Sequence, residues 1–371
     1  MWTVRDTMGA MPWLILAMSR LASADCECGY SVNKTSDADH LLFYDLQEND
    51  FLHTNGDNVT EYGWRPQEYN QTKEQTLAPY GKTNEVANVE FNPLKDAQSW
   101  SGDSEKGGDA GLKLWVRGDH SDGYVPGAEL ASVRKDMLYG SFRAGMKTGS
   151  GGTCGAWYWF LKNSVEIDME LLTKDFNNSQ GAINLVLQSP QSAADRTAEG
   201  TNTLHVQHLD FRPDQSFHEY RYDWMPGSVT FYIDGQAVYT TTDNVPEDGG
   251  YMFMNHWSTG NPKWSAGPPS SDTAMTVSYA KAYFNSSDTA RSDAYKKRCP
   301  TFDPAKVCQI PDQTKAPNGA DAKTYFISQD GAGKTPDQQT YKLTSGASNL
   351  FATSSTIYMS IFVAFFSWAL L

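Results

Sequence analysis

The sequence predicts an all-β protein, and three observations carry that expectation. The chain has 371 residues, enough to bury a large core. It is 13% aromatic and carries 30 glycines, with few long apolar stretches of helical period. Asn-Gly, Asp-Gly and proline-containing breaks, such as Asn55-Gly56, Asp122-Gly123 and Asp234-Gly235, separate short segments of strand length.

Taken in chain order, the first segment is an address. Arg5 precedes an apolar run from Met11 to Met18, and Ala22-Ser23-Ala24 offers a small-x-small cleavage site, so residues 1–24 read as a secretory signal peptide and the mature chain begins at Asp25. Arg20 after the apolar run is atypical of such a signal. Export makes five sequons candidates for glycosylation, at Asn33, Asn58, Asn70, Asn177 and Asn285. Five cysteines in an oxidising compartment imply two disulfides and one leftover thiol. Cys299 and Cys308 stand near enough in sequence to close a loop, and one of Cys26 or Cys28 is available to tie residues 25–39 to Cys154. The sequence leaves the connectivity open. Cys26-Glu27-Cys28 lacks the second Cys or His pair that a structural metal needs.

The segment from Gly151 to Phe160 reads as a strand in which Trp157 and Trp159 share one face, where they could stack on pyranose rings or fill a core. Next comes Val165-Glu166-Ile167-Asp168-Met169-Glu170-Leu171-Leu172. Strict alternation sends Glu166, Asp168 and Glu170 to one face and the apolar residues to the other. An exposed strand could carry such a run as a solvated face. Three acids side by side repel one another, however, and proton chemistry is a reason to keep them there. Glycoside hydrolysis by the retaining route needs two carboxyls roughly 5 Å apart. Glu166 and Glu170 lie about 13 Å apart along a flat strand at about 3.3 Å per residue, so the pair works only on a concave sheet that lets the side chains converge. Asp168 between them can hydrogen-bond one partner and help split their pKa values.

Together with its flanks, this strand resembles glycoside hydrolase family 16, in the E-I-D-x-E form without an extra bulge residue. Ala128-Glu129-Leu130 and Tyr139-Gly140-Ser141-Phe142 look like the strands preceding the catalytic one. Phe217 to Trp224 and Val229 to Gly235 resemble its H-x-Y-x-x-D-W and Y-x-D-G pair. Met254-Asn255-His256-Trp257 with Trp264 resembles its later cleft strand, and Ala280 to Asn285 its closing strand. The resemblance spans residues 40–287. It implies a concanavalin A-like β-jelly-roll sandwich with a concave substrate cleft, in which Glu166 is the nucleophile, Glu170 the general acid and base, and Asp168 the assisting carboxylate. Glu129, Asn255, Trp257 and Trp264 would then line the sugar cleft, and Trp157 and Trp159 join them as candidate sugar platforms. Two positions depart from many lichenase-like members: Ser164-Val165 stands where they carry Trp-Asp, and Ala131 where they carry Arg. The subsites near the cleavage point therefore differ, and mixed-linkage specificity does not transfer. The resemblance implies no required cofactor and admits a structural calcium, although no Asp-rich loop spacing marks one.

Residues 288–310 form a cysteine-containing extension. Residues 311–346, rich in Gly, Ala, Ser, Thr, Asp and Gln, read as a flexible stalk in which Tyr325-Phe326 and Tyr341 stand out. Ser345-Gly346-Ala347-Ser348, a polar spacer and the uncharged tail Ile357 to Leu371 have the arrangement of a GPI-anchor signal, with residues 347–371 removed and attachment at Ser345 or Gly346. The expected product is a monomeric fungal-type glycoprotein at the cell surface, on the plasma membrane or in the wall, touching membrane only through its lipid.

A formal net charge of −14 opposes nucleic-acid binding and suits a neutral polysaccharide. The leading function is a retaining endo-β-glucanase cutting internal β-1,3 or β-1,3/1,4 bonds. The close alternative is a wall transglycosylase joining glucan or chitin chains, since another sugar can replace water in resolving the same covalent intermediate. A non-catalytic sugar-binding wall protein is the second alternative. It gains nothing from crowding three acids on one strand.

Overall fold

Alternating side chains let each long strand present one apolar row, and two sheets bury those rows against each other. A computed structural model describes residues 26–195, 197–315, 322 and 324–330. The first sheet has nine strands. Along its main path the order is Leu204–Leu209, Gly181–Leu187, Val165–Leu172, Cys154–Lys162, Tyr251–Trp257, Tyr124–Ser132, Gly81–Asn84 and Tyr69–Gln71, with Trp64–Pro66 paired to Tyr124–Ser132. The second sheet has eight strands, centred on Met137–Lys147 and the long Thr273–Ser286, with Asp45–Asp50 paired to the latter. The all-β sandwich expected from the sequence is therefore present.

Between the sheets lie Ile167, Met169 and Leu171, each fully buried, which puts Glu166, Asp168 and Glu170 on the outer face of the nine-stranded sheet. Each such apolar side chain contributes about 1.5–3 kcal/mol by leaving water. A register slip of one residue would drive three carboxyls into this core, so the pairing of Val165–Leu172 is strongly specified.

Trp157 and Trp159 do not reach the cleft. Trp157 pairs with Met169 and Trp159 with Ile167 across the antiparallel ladder, so both indoles share the core face and are fully buried. Trp157 packs 6.3 Å from Trp64, and Trp159 packs 4.6 Å from Trp224 while donating to the Met137 carbonyl at 3.0 Å. The cleft face of that strand carries Ala156, Tyr158 and Phe160 instead.

The cysteine pairing also differs from expectation. Cys26 bonds to Cys308 and Cys28 to Cys299, while Cys154 is a free, buried thiol. Tyr30–Val32 lies parallel to Cys308–Gln309 and antiparallel to Leu41–Phe43, so the two cysteine-bearing segments form one three-stranded sheet. That pairing brings Cys26 and Cys28 beside the carboxyl-terminal extension, and Cys154 sits in the cleft sheet with Glu170 as its neighbour.

The stalk expectation fails over residues 324–328. Tyr325 and Phe326 are buried against Trp100 and Tyr279 on the eight-stranded sheet. Glu48, fully buried, accepts from the Ile327 and Ser328 amides at 3.0 and 2.9 Å, from the Ser328 hydroxyl at 2.6 Å and from the Tyr283 hydroxyl. Lys281 donates to the Tyr325 carbonyl at 2.5 Å. Two large rings and a set of satisfied backbone groups outweigh the polar composition of this stretch. Of the five sequon asparagines, Asn33, Asn58, Asn70 and Asn177 are exposed and Asn285 is half-buried in the Thr273–Ser286 strand. The signal peptide, Tyr341, Ser345, Gly346 and the apolar tail lie outside the described residues.

Candidate active site

Two adjoining hollows, of about 550 and about 420 Å³, run across the outer face of the nine-stranded sheet and share Lys82, Asn163, Glu166, Glu170 and Trp257. The floor is built by register. Glu170 sits opposite Ala156 on one side and Asn184 on the other, and Asn255 lies opposite both Ala156 and Glu129. Walls come from residues 188–195, which include the short helix Pro190–Asp195, from residues 197–199 and from the turn carrying Asn261, Lys263 and Trp264. Gly152 seats that turn: with φ at 88°, a Cβ there would stand 2.2 Å from the Gly267 Cα, so only glycine allows the two loops to approach.

Each expected acid has identifiable partners. Glu170 Oε1 accepts from the Cys154 thiol at 3.3 Å and from the Trp264 indole at 3.4 Å. Gln188 Nε2 donates to Asp168 Oδ2 at 3.3 Å, while its carbonyl oxygen accepts from Ser192 at 2.7 Å and its backbone amide donates to the Glu166 carbonyl at 3.0 Å. Glu129 Oε2 accepts from Asn255 at 2.6 Å, Tyr69 at 3.1 Å and Tyr158 at 3.4 Å. Trp257 and Trp264 are half-buried along the walls, as sugar platforms require, and Lys82 Nζ stands 5.1 Å from the Trp257 ring centre. Glu129, Asn255, Trp257 and Trp264 thus all meet the carboxylate strand in one cleft.

Burial raises all three acids of the row. Burial pushes Glu166 up to about 7; the Glu170 and Glu129 charges push the same way, while a hydrogen bond from Asp168 and the Lys82 ammonium oppose them. Asp168 is pushed up too, by burial and then by the charges of Glu166 and Glu170. Asp168 and Glu166 thus interact as neighbours that are both held above the usual carboxyl range. Burial also raises Glu170, against the Cys154 and Trp264 donors and Lys82. Two glutamates raised towards neutrality on one cleft face are groups able to exchange protons near neutral pH.

These shifts predict a stability profile. Each acid binds its proton more tightly folded than unfolded, so the contribution of these acids to stability is greatest at acid pH and falls as pH rises from the ordinary carboxyl range towards and beyond 7. Asp168→Asn removes one raised member and keeps an amide donor for Glu166. In thermal melts the variant is expected to match the parent near pH 4 and to exceed it above pH 7 by a few degrees, at about 2–4 °C per kcal/mol. A constant difference across that range would contradict the assignment.

Sequence reasoning missed Lys82, Tyr69, Tyr158, Gln188, Asn184 and Cys154. Tyr158 could have been found by fixing the register of its strand against the acids. Lys82 and Tyr69 come from short strands at the far edge of the sheet, which carry no strong strand pattern. Among the described residues no group of three or more His, Cys, Asp or Glu is placed to hold a metal.

A sandwich with one cleft-bearing sheet and a central strand of three carboxyls defines a protein built for carbohydrate chemistry. The family model of Glycosyl hydrolases family 16 matches residues 91–281, just over half of the chain, and the protein belongs to that family of glycosidases. The beta-glucanase of Brevibacillus brevis is 32% identical over 103 residues, 28% of this chain and 35% of that protein. The beta-glucanase of Paenibacillus polymyxa is 42% identical over 57 residues, 15% of this chain and 24% of that protein. The chain thus spans about a quarter to a third of the length of these curated relatives. Among solved structures, Bacillus licheniformis beta-glucanase aligns with a TM-score of 0.48 at 19% identity, covering 64% of this chain and 98% of that one. The apo Crh5 transglycosylase aligns with a TM-score of 0.44 at 16% identity, covering 64% and 84%.

Proposed function

We propose that the protein is a retaining endo-β-glucanase acting on internal β-1,3 or β-1,3/1,4 glucosidic bonds. The observation that carries this reading is the row of Glu166, Asp168 and Glu170 lining one hollow on the cleft floor. Glu166 attacks the anomeric carbon while Glu170 gives its proton to the departing glycosidic oxygen. A water then enters, Glu170 takes its proton, and the hydroxyl displaces Glu166 with net retention. Half-buried Trp257 and Trp264 support stacking of sugar rings, and the two hollows that meet at Glu166 and Glu170 give room for several sugar units of a chain.

Two disulfides support residence in an oxidising compartment, in keeping with export by residues 1–24 and retention at the cell surface through a GPI anchor near Ser345 or Gly346.

The test is to incubate the protein with laminarin, mixed-linkage glucan and chitin-derived donors, with a fluorescent oligosaccharide acceptor present, and to separate products by size. Shortened glucan with no labelled polymer is expected. Label moving into long chains would replace hydrolysis by transfer, and no product of either kind would leave a sugar-binding protein.

A further inference from the structure

Cys154 is the cysteine left over from the two disulfides, and it opens the strand next to the carboxylates. It shares the cleft face with Ala156, Tyr158 and Phe160, yet the side chain is fully buried beneath the cleft floor. Burial first, and then the Glu170 charge, push its thiol far above the usual range, so sulfur keeps its hydrogen and acts as a donor. That donor lies 3.3 Å from Glu170 Oε1, and the Trp264 indole N–H lies 3.4 Å from the same oxygen. Oε2 has no protein donor among the described residues.

We infer that Cys154 is a positioning residue for Glu170: its S–H and the Trp264 N–H occupy Oε1, which leaves Oε2 as the oxygen that carries the transferable proton into the cleft. The inference rests on the reading of Glu170 as general acid and base. A carboxyl held by one oxygen cannot rotate freely between protonation sites, and a donor on Oε1 favours the ionised form that returns after each proton transfer. Cys154 touches no sugar, so its contribution falls on turnover and proton affinity and leaves binding alone.

Other groups facing Glu170 are Glu166 and Asp168 on its own strand and Lys82 across the cleft. Lys263 stands beside Trp264, Asp195 and Glu199 line the wall, and Asn184 on the adjoining strand is uncharged. All remain in place when only residue 154 changes, so a difference between variants at that position reports the sulfur contact.

The experiment compares pH profiles of kcat and kcat/KM on a soluble glucan for the parent, Cys154→Ala and Cys154→Ser. Loss of the donor in Cys154→Ala is expected to raise the alkaline limb by roughly half a unit to one unit, with kcat lowered and KM unchanged. The hydroxyl of Cys154→Ser restores a donor and is expected to bring that limb back towards or below the parent. An unchanged limb in Cys154→Ala, or equal shifts in both variants, would overturn the inference. Thermal melts of both variants separate these outcomes from misfolding. Glu170→Gln serves as the control: parental activity there would remove the acid and base reading itself, whatever residue 154 does.

Discussion

Glu166→Gln is expected to lower turnover by roughly 10⁴-fold or more, because the amide cannot form the glycosyl ester on which both half-reactions depend. The change is nearly isosteric, and it removes an acid whose ionisation burial opposes. Folding should therefore be kept or slightly strengthened, and glucan binding, followed by calorimetry, should be little altered. The partner roles are separable by chemistry. With an activated aryl glycoside and added azide, Glu170→Ala still forms the covalent intermediate, which azide opens to a β-glycosyl azide. Glu166→Ala admits azide directly at the anomeric carbon and gives the α product. Near-parental turnover in Glu166→Gln would exclude it as nucleophile, and exchanged stereochemistry would swap the two roles.

Glu48→Ala has the largest expected effect on stability. The residue is fully buried on the sheet opposite the cleft and receives two backbone amides and two hydroxyls. Lys281, also buried, is pushed down to about 8 by burial, with the charges of Glu48 and Glu219 opposing that shift. Removing Glu48 takes away the largest of the charges that favour the Lys281 cation and frees the amides of Ile327 and Ser328. The expected loss is about 3–5 kcal/mol in denaturant unfolding, together with faster amide exchange over residues 325–328. Hydrolysis by the surviving folded protein should be unchanged at low temperature, since the change lies on the other sheet. A loss below about 1 kcal/mol would show that the segment does not depend on this contact.

The same two regions mark what could be read from the sequence. The carboxylate strand was fully legible, because period-two alternation assigns both faces at once and the acids admit only one of them to the core. The family motifs placed Glu129, Asn255, Trp257 and Trp264 in one cleft through separate segments. Trp157 and Trp159 were misplaced for a definite reason: alternation shows that they share a face, and only the pairing with Met169 and Ile167 says which. Asp45–Asp50 was illegible in another way. Its sequence, Asp-Leu-Gln-Glu-Asn-Asp, looks like a solvated turn, yet every residue is buried. Asp45 is held by Arg134 and Arg291, Asn49 accepts from Trp64, Asp50 meets His53, and Glu48 holds the returning chain. Apart from His53, three residues on from Asp50, those partners lie far away in sequence, and no local pattern announces them. The disulfides followed the same rule, since the parallel pairing of Tyr30–Val32 with Cys308–Gln309 is what joins ends that are 282 residues apart.

That covalent clasp makes the catalytic sandwich a closed ring. A protease cutting any loop between Cys28 and Cys299 produces two pieces that both bridges still hold together, Cys26 to Cys308 and Cys28 to Cys299. A nicked molecule would keep its mass until reduced, and its strands would stay within reach of their partners. In surroundings rich in secreted proteases, backbone cleavage and loss of the enzyme thereby become separate events.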